Sequence, residues 1–346
     1  MSKTLQDYAT LINDTIQSNE INHYITTDNM CQNLGGIDTF KNINIPQGKV
    51  RSFQKDDILL SNIRLYFRKV YRAKQKGGCS SDVLVFRAKH IDSATLFAIL
   101  SSQIFTDYAC SGSQGSKMPR GNKTHMMDFK IPTINFTIAK IFNSIQNKIE
   151  NNHKINEILH TLAYKIYEYY FKYKPKNAKL EQIIIENPKS NIMVKNAQKT
   201  QDKYPFFTSG DNILSYPKAI IDGRNCFLNT GGNAGIKFYV GKASYSTDTW
   251  CICANEFSDY LYLLLSSIKN HINQSFFQGT SLKHLQKNLL KKYPIYMPST
   301  HEIKKFNQII MPLLTLISIN TRTSKKLEQI RDFLLPLLLK QQVKPQ

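Results

Sequence analysis

The chain resembles itself, and that constrains its fold more than any other feature. Ser80-Ser81-Asp82 recurs as Ser246-Thr247-Asp248, and an apolar strand-like run follows each copy. Residues 96–102 (Leu-Phe-Ala-Ile-Leu-Ser-Ser) match residues 261–267 (Leu-Tyr-Leu-Leu-Leu-Ser-Ser), a short apolar helix in both. Gln114-Gly115-Ser116 matches Gln278-Gly279-Thr280, and an apolar-Pro pair closes each unit, Ile131-Pro132 and Met297-Pro298. The offset is 166 residues at the aspartates, 165 at the helix ends and 166 at the prolines. Order and spacing persist together, so these are two copies of one unit.

A long helical pattern follows each copy. In the first, Ile138, Phe142, Ile145, Ile149, Asn152, Asn156, Leu159, Ala163, Ile166 and Tyr170 advance by alternating steps of four and three. In the second, Ile303, Phe306, Ile310, Leu313, Ile317, Asn320, Ser324, Leu327, Arg331, Leu334 and Leu338 do the same. That is the seam of a coiled coil, and it runs longer than one domain needs. Asn152 and Asn320 are read as equivalent polar seam positions that set the register of the helix pair. Pro312 and Pro336 each remove a backbone donor and are expected to kink or end the second helix.

The layout is α+β: two similar mixed α/β domains separated by two long helices that carry a coiled-coil seam. The first domain spans 1–135 and its helix 136–174; the second spans 175–300 and its helix 301–346. A basic linker, Lys172 to Lys176, surrounds Pro175. Strands are expected at 57–60, 82–86, 219–221 and 236–240, short apolar runs bounded by turn residues. The six cysteines (Cys31, Cys79, Cys110, Cys226, Cys251, Cys253) lack a paired framework or a C-x-x-C and read as reduced and mostly buried. No secretory signal or membrane-length apolar run is seen, which suits a soluble, cytoplasmic protein.

The net charge of +21 comes from 46 Lys and Arg against 25 Asp and Glu. Such an excess favours a polyanionic partner, because neutralised phosphates release counterions. The alternative is a composition rich in Lys, Asn and Ile that inflates charge without function.

Four segments are candidates for contacting DNA. Arg64, Tyr66, Arg68, Lys69, Tyr71, Arg72 and Lys74 interleave basic and aromatic residues, suited to guanine and phosphate or to an edge strand kept charged. Ser116, Lys117, Arg120, Asn122 and Lys123 form a basic hydroxyl-bearing loop that lets the backbone approach phosphate. Its counterpart holds Gln278, Thr280, Ser281, Lys283 and His284. In the second domain Arg224, Asn225, Asn229 and Thr230 precede Gly231-Gly232-Asn233-Ala234-Gly235, where the glycines suit a turn with positive φ.

Catalytic signatures are missing. Residues 115–124 do not form a phosphate-binding G-x-x-x-x-G-K-[ST] loop, and there is no H-E-x-x-H. Asn187-Pro188-Lys189 lacks the second proline and the aromatic of an amino-methyltransferase tetrapeptide. His153 and His160 lie seven apart on one helix face with no acidic partner at metal-ligand spacing, and read as helix surface.

Taken in order, Asp-Ile-Leu-Leu-Ser (57–61), Cys-Ser-Ser-Asp (79–82), Leu-Ser-Ser-Gln-Ile-Phe (100–105), Gly-Ser-Lys-Met-Pro-Arg (115–120), Ile-Pro (131–132) and a helix with Ile-x-x-Asn (149–152) resemble the target-recognition domain and helix of Type I restriction-modification specificity subunits. The second half repeats the series, so the resemblance covers essentially the whole chain. The family's usual Pro-Pro-Leu-x-Glu-Gln is replaced by Pro132-Thr133-Ile134-Asn135 and Pro298-Ser299-Thr300-His301-Glu302.

The resemblance implies a non-catalytic subunit whose two domains each read half of a split target in double-stranded DNA, with the two long helices forming an antiparallel coiled coil as spacer. It implies docking of modification subunits, which carry S-adenosylmethionine and methylate adenine, and of ATP- and Mg-dependent motor-nuclease subunits. No cofactor or metal is expected on this chain. A specificity protein of another restriction system, with or fused to a methylase or nuclease, and a coiled-coil adaptor without DNA specificity are the alternatives.

Overall fold

The computed structural model describes residues 3–38, 43–131, 134–197, 203–210, 213–279 and 282–338. The chain divides into two compact units: unit 1 is Met1–Asn151 with Ser324–Gln346, and unit 2 is Asn152–Thr323.

In unit 1 a four-stranded antiparallel sheet runs in the order Ala9–Ile12, Val83–Ala88, Ile58–Ser61, Val70–Arg72. Its inner strands are continuous aliphatic runs because both faces are covered. Side chains alternate along a strand, so neighbours enter different cores. Ile58, Leu60, Leu84 and Phe86 join the core containing the apolar helix Ser93–Leu100. Leu59, Val83 and Val85 instead meet Ile25, Phe53 and Cys79 of a smaller sheet. Asp92 starts the helix by accepting from the Thr95 amide at 2.9 Å.

Unit 2 repeats this order: Ile185–Glu186, Thr249–Cys253, Arg224–Asn229, Ile236–Val240. The same alternation sends Cys226, Leu228, Trp250 and Ile252 to one core and Phe227, Tyr239 and Cys251 to the other. The likeness extends to single hydrogen bonds. The Ser80 amide donates to Ile25 and the Ser246 amide to Phe207, both at 2.9 Å. The amides of Leu5 and Leu180, both fully buried, donate to Phe129 and Tyr293, again at 2.9 Å. The small sheets diverge: Thr15–Gln17 and Lys49–Phe53 pair in unit 1, whereas Leu214–Tyr216 pairs with Tyr204–Phe207 in unit 2.

The expected strand at 219–221 does not form; Ile221 makes an isolated bridge to Ala243, which ties down the segment without building a ladder. All six cysteines are free thiols, and Cys79, Cys226 and Cys251 are buried. Burial pushes the Cys79 thiol up to about 12, so it stays protonated and inert.

The first long helix is Phe136–Tyr167, continued by a π-helical turn at Glu168–Lys172, and the second is Thr300–Leu338. Their starts correspond at an offset of 164 residues: Asn135 Oδ1 accepts from the Ile138 amide, and Ser299 Oγ accepts from the Glu302 amide. Glu302 reaches back to the Ser299 amide at 2.9 Å, completing a capping box. None of the seam positions read from the sequence is exposed in either helix.

The helices pack antiparallel within each unit. In unit 1 the Asn135 amide donates to the Leu338 carbonyl, and Arg331 Nη1 to Gln146 Oε1 at 3.0 Å. In unit 2 Asn320 Nδ2 donates to Asn156 Oδ1 at 3.0 Å. At the helical offset the residue equivalent to Asn320 is therefore Asn156, not Asn152; the sequence offset drifts by two residues between strands and helices. Neither Pro312 nor Pro336 ends the second helix. Both are exposed, so the carbonyl each leaves without a helical donor lies on the solvent side.

Candidate nucleic-acid interface

In unit 1 two loops separated by some fifty residues are sewn into one surface. The first leaves the strand Ile58–Ser61 and carries Asn62, Arg64, Tyr66, Arg68 and Lys69; the second is 114–123. The Arg64 amide donates to the Pro119 carbonyl at 2.9 Å, the Gly121 amide to Asn62 at 3.2 Å, and Gln114 and Arg120 exchange backbone hydrogen bonds. Asp82 completes the junction: its carbonyl accepts from the Asn62 amide at 2.7 Å, and its carboxylate pairs with Arg120 at 2.9 Å.

Unit 2 builds the same junction from equivalent residues. The Gly232 amide donates to Lys283 at 2.9 Å, Leu285 to Thr230 at 3.0 Å, and Thr230 to the Asp248 carbonyl at 3.2 Å. Gln278 pairs with His284 as Gln114 does with Arg120. Asp82 and Asp248, conspicuous in the sequence as part of the repeat, each hold the first loop through their carbonyl, and Asp82 also pairs with Arg120 of the second; the repetition was the signal, and its purpose was not readable from it.

Arg64 stands where the second copy has Gly232, and both are left-handed, with φ of 51° and 79°. A residue with a side chain costs about 1–2 kcal/mol more there than glycine. That cost sets a guanidinium over the loop: Nη2 donates to the Lys117 carbonyl at 3.3 Å, while Nε is buried without a partner among the described residues.

The sequence-derived candidates fall into three groups. Lys117, Arg120, Asn122 and Lys123 in unit 1, and Lys283 and His284 in unit 2, are exposed on the joined loops, with Arg64 partly exposed and Tyr66 exposed beside them. Asn122 also caps the short helix Lys123–Met127 by accepting from the His125 amide. Thr280, with Ser281, lies outside the described residues.

The second group is engaged inside its own unit. Arg68 donates to the Ser101 carbonyl at 2.9 Å, and burial lowers its pKa; Lys69 donates to the Thr27 carbonyl. Arg72 holds Asp56 and Asn143, while Lys74 holds Asn147 and Glu150. Buried Asn225 accepts from Asn187 and donates to the Asp222 carbonyl, and buried Asn229 donates to the Asn233 carbonyl and accepts from Lys237. Arg224 forks onto the buried carboxylate of Asp259 and reaches Thr315 and the Met311 carbonyl of the second long helix. Desolvation raises the Asp259 pKa while Arg224 lowers it.

The third group comprises the register residues. Asn152 is buried, and Asn320 meets Asn156. His160 departs from the reading of a surface histidine: it packs edge-on against Tyr262 and shares a 3.3 Å hydrogen bond with its hydroxyl, and burial lowers its pKa.

Among the described residues no group of His, Cys, Asp or Glu is placed to hold a metal ion, and no helix is long and apolar enough to cross a membrane.

Residues 176–329 match the family model described as the Type I restriction modification DNA specificity domain. No curated protein matches the sequence. Among solved structures, the S subunit of a Type-I restriction-modification system from M. genitalium superposes with a TM-score of 0.64 at 14% identity, covering 99% of this chain and 96% of that one. The HsdS subunit from Thermoanaerobacter tengcongensis aligns over 98% of this chain and 96% of its own at 13% identity, with a TM-score of 0.37. The duplicated order of strands and the antiparallel helices agree with these likenesses: residues 176–329 match the Type I restriction modification DNA specificity domain, and the chain shares the fold of the M. genitalium S subunit.

Proposed function

We propose that the chain reads a bipartite sequence in double-stranded DNA, each unit contributing one half through its joined loops. The observation that carries this reading is the recurrence of one loop junction, with its backbone hydrogen bonds repeated and different exposed side chains on it. Arg64, Lys117, Arg120 and Lys123 stand on one copy, and Lys283 and His284 on the other. A constant scaffold with variable exposed cations suits a reader whose halves differ: Lys neutralises phosphate, and Arg can bind guanine or phosphate with two hydrogen bonds.

The long helices are the spacer and the docking site. At 32 and 39 residues they extend about 48 and 58 Å, more than one turn of duplex. Tyr169 and Phe333, equivalent at the helical offset, are 86% and 71% exposed, and two large apolar side chains repeated at one position suit two copies of one partner. That partner is the modification subunit, with S-adenosylmethionine for adenine methylation; the ATP- and Mg-dependent motor-nuclease subunits join the same assembly. The chain itself performs no chemistry.

Titrating duplex DNA against salt tests the reading. Several phosphate contacts give a slope of log affinity on log salt near −0.9 per contact. An adaptor without DNA specificity gives no binding to titrate, and methyl transfer by the chain alone would contradict a non-catalytic role.

A further inference from the structure

Among the described residues, the helix pair of unit 1 buries a connected set of long polar side chains. Arg331, 2% exposed on the second long helix, donates to Gln146 Oε1 at 3.0 Å and to the Asn33 carbonyl at 3.4 Å. Gln146 is also buried; it donates to the Leu34 carbonyl at 2.7 Å and to Glu150 Oε1 at 3.2 Å. Buried Glu150 pairs with Lys74 at 3.2 Å. At the helical offset of 164 residues, Gln146, Glu150 and Arg331 correspond to Ile310, Leu314 and Tyr167. All three of those are buried in the apolar core of unit 2.

Two similar helices in one chain have a pairing problem. The first helix fits antiparallel on the second, but each also resembles the helix that a second copy of itself would need. With Asn156 and Asn320 as the equivalent central positions, two first helices from different chains would set Gln146 and Glu150 of each against the Tyr167 region of the other. Two second helices would bury Arg331 against the Ile310 and Leu314 region. Only the first helix on the second places polar with polar and apolar with apolar. Arg331 keeps Asp332 of its own helix and Glu150 keeps Lys74 in any pairing, so a like pairing loses the Gln146–Arg331 hydrogen bond and sets buried polar groups against apolar ones, which is destabilising.

We infer that Gln146, Glu150 and Arg331 select the pairing of unlike helices and exclude like-with-like pairing with a second copy of this chain. The device acts through mismatch, as a polar residue at a coiled-coil seam specifies partner choice at some cost in stability. Its consequence is that every helix pair carries one copy of each recognition unit. The inference concerns pairing and holds whether or not the loops read DNA.

Disulfide trapping in the full chain tests it. A cysteine at the centre of the first helix, Asn156→Cys, meets its own counterpart only when two first helices pair. The reporter is placed in the otherwise native chain and in one carrying unit 2's residues, Gln146→Ile, Glu150→Leu and Arg331→Tyr. Both are refolded at high concentration under mild oxidation beside parents lacking the reporter, which give the background from native thiols. The expected result is a rise of roughly tenfold or more in reporter-dependent linked dimer once the polar set is removed, equivalent to about 1.4 kcal/mol of pairing preference. Equal trapping in both backgrounds overturns the inference. Should the triple substitution fail to fold by circular dichroism, Gln146→Leu with Arg331→Met retains the Lys74–Glu150 pair and is held to the same criterion.

Discussion

Asn156 and Asn320 are the same position in the two copies of the repeat, and they hydrogen-bond to each other at 3.0 Å. Where antiparallel segments are equivalent in sequence, one position of each must face its own counterpart. Here that position is polar on both sides, so the two amides satisfy each other directly only in this register.

Replacing both Asn156 and Asn320 with Leu is expected to raise the melting temperature while loosening register. Replacing only one strands the other amide and costs about 1–3 kcal/mol. Thermal unfolding of the three variants, with crosslinking along the seam to report register, checks both statements. A double variant less stable than either single variant would contradict the account.

Arg224 supports the fold of unit 2. Arg224→Ala leaves the Asp259 carboxylate buried and unpaired and is expected to cost about 3–5 kcal/mol. Urea denaturation measures that loss. Arg224→Ala combined with Asp259→Ala is expected to cost less than Arg224→Ala alone.

Unit 2 carries a pH dependence of stability through His160. Its folded pKa lies below the ordinary 6.5 because burial disfavours the imidazolium. The unfolded chain therefore binds the extra proton more readily, and the stabilising contribution is present above pH 6.5 and lost as pH falls through the folded pKa. His160→Phe is expected to flatten this acid-side loss between pH 7.5 and 5.5. Urea midpoints at the two pH values, compared between wild type and variant, check the sign.

The exposed loop cations are expected to behave oppositely to Arg224. Lys117→Ala with Lys123→Ala, or Lys283→Ala alone, leaves thermal stability within about 0.5 kcal/mol. Each phosphate left unneutralised reduces the salt slope of DNA binding by about 0.9. Fluorescence anisotropy over a salt series separates the two effects.

The sequence disclosed what local pattern encodes. The apolar runs that follow Asp82 and Asp248 marked strands, and the four-and-three steps from Ile138 and Ile303 marked the long helices. Ion pairing was not legible, because the Asp259 that claims Arg224 lies 35 residues away across the fold. Arg68 and Lys69 likewise looked free because the Ser101 and Thr27 carbonyls they reach leave no mark in a sequence. Asn152 and Asn156 stand 168 and 164 residues before Asn320, equally far from the 166-residue offset of the strands, and the two-residue loop difference that favours Asn156 leaves no mark in the repeat.

The most direct measurement is methylome mapping in cells that carry the modification subunit, with this chain, without it, and with residues 115–123 exchanged for another loop. The account predicts a split adenine-methylated motif present only with the chain, and loop exchange that alters one half of it. A motif unaffected by the chain, or loop exchange that rewrites both halves, would contradict it.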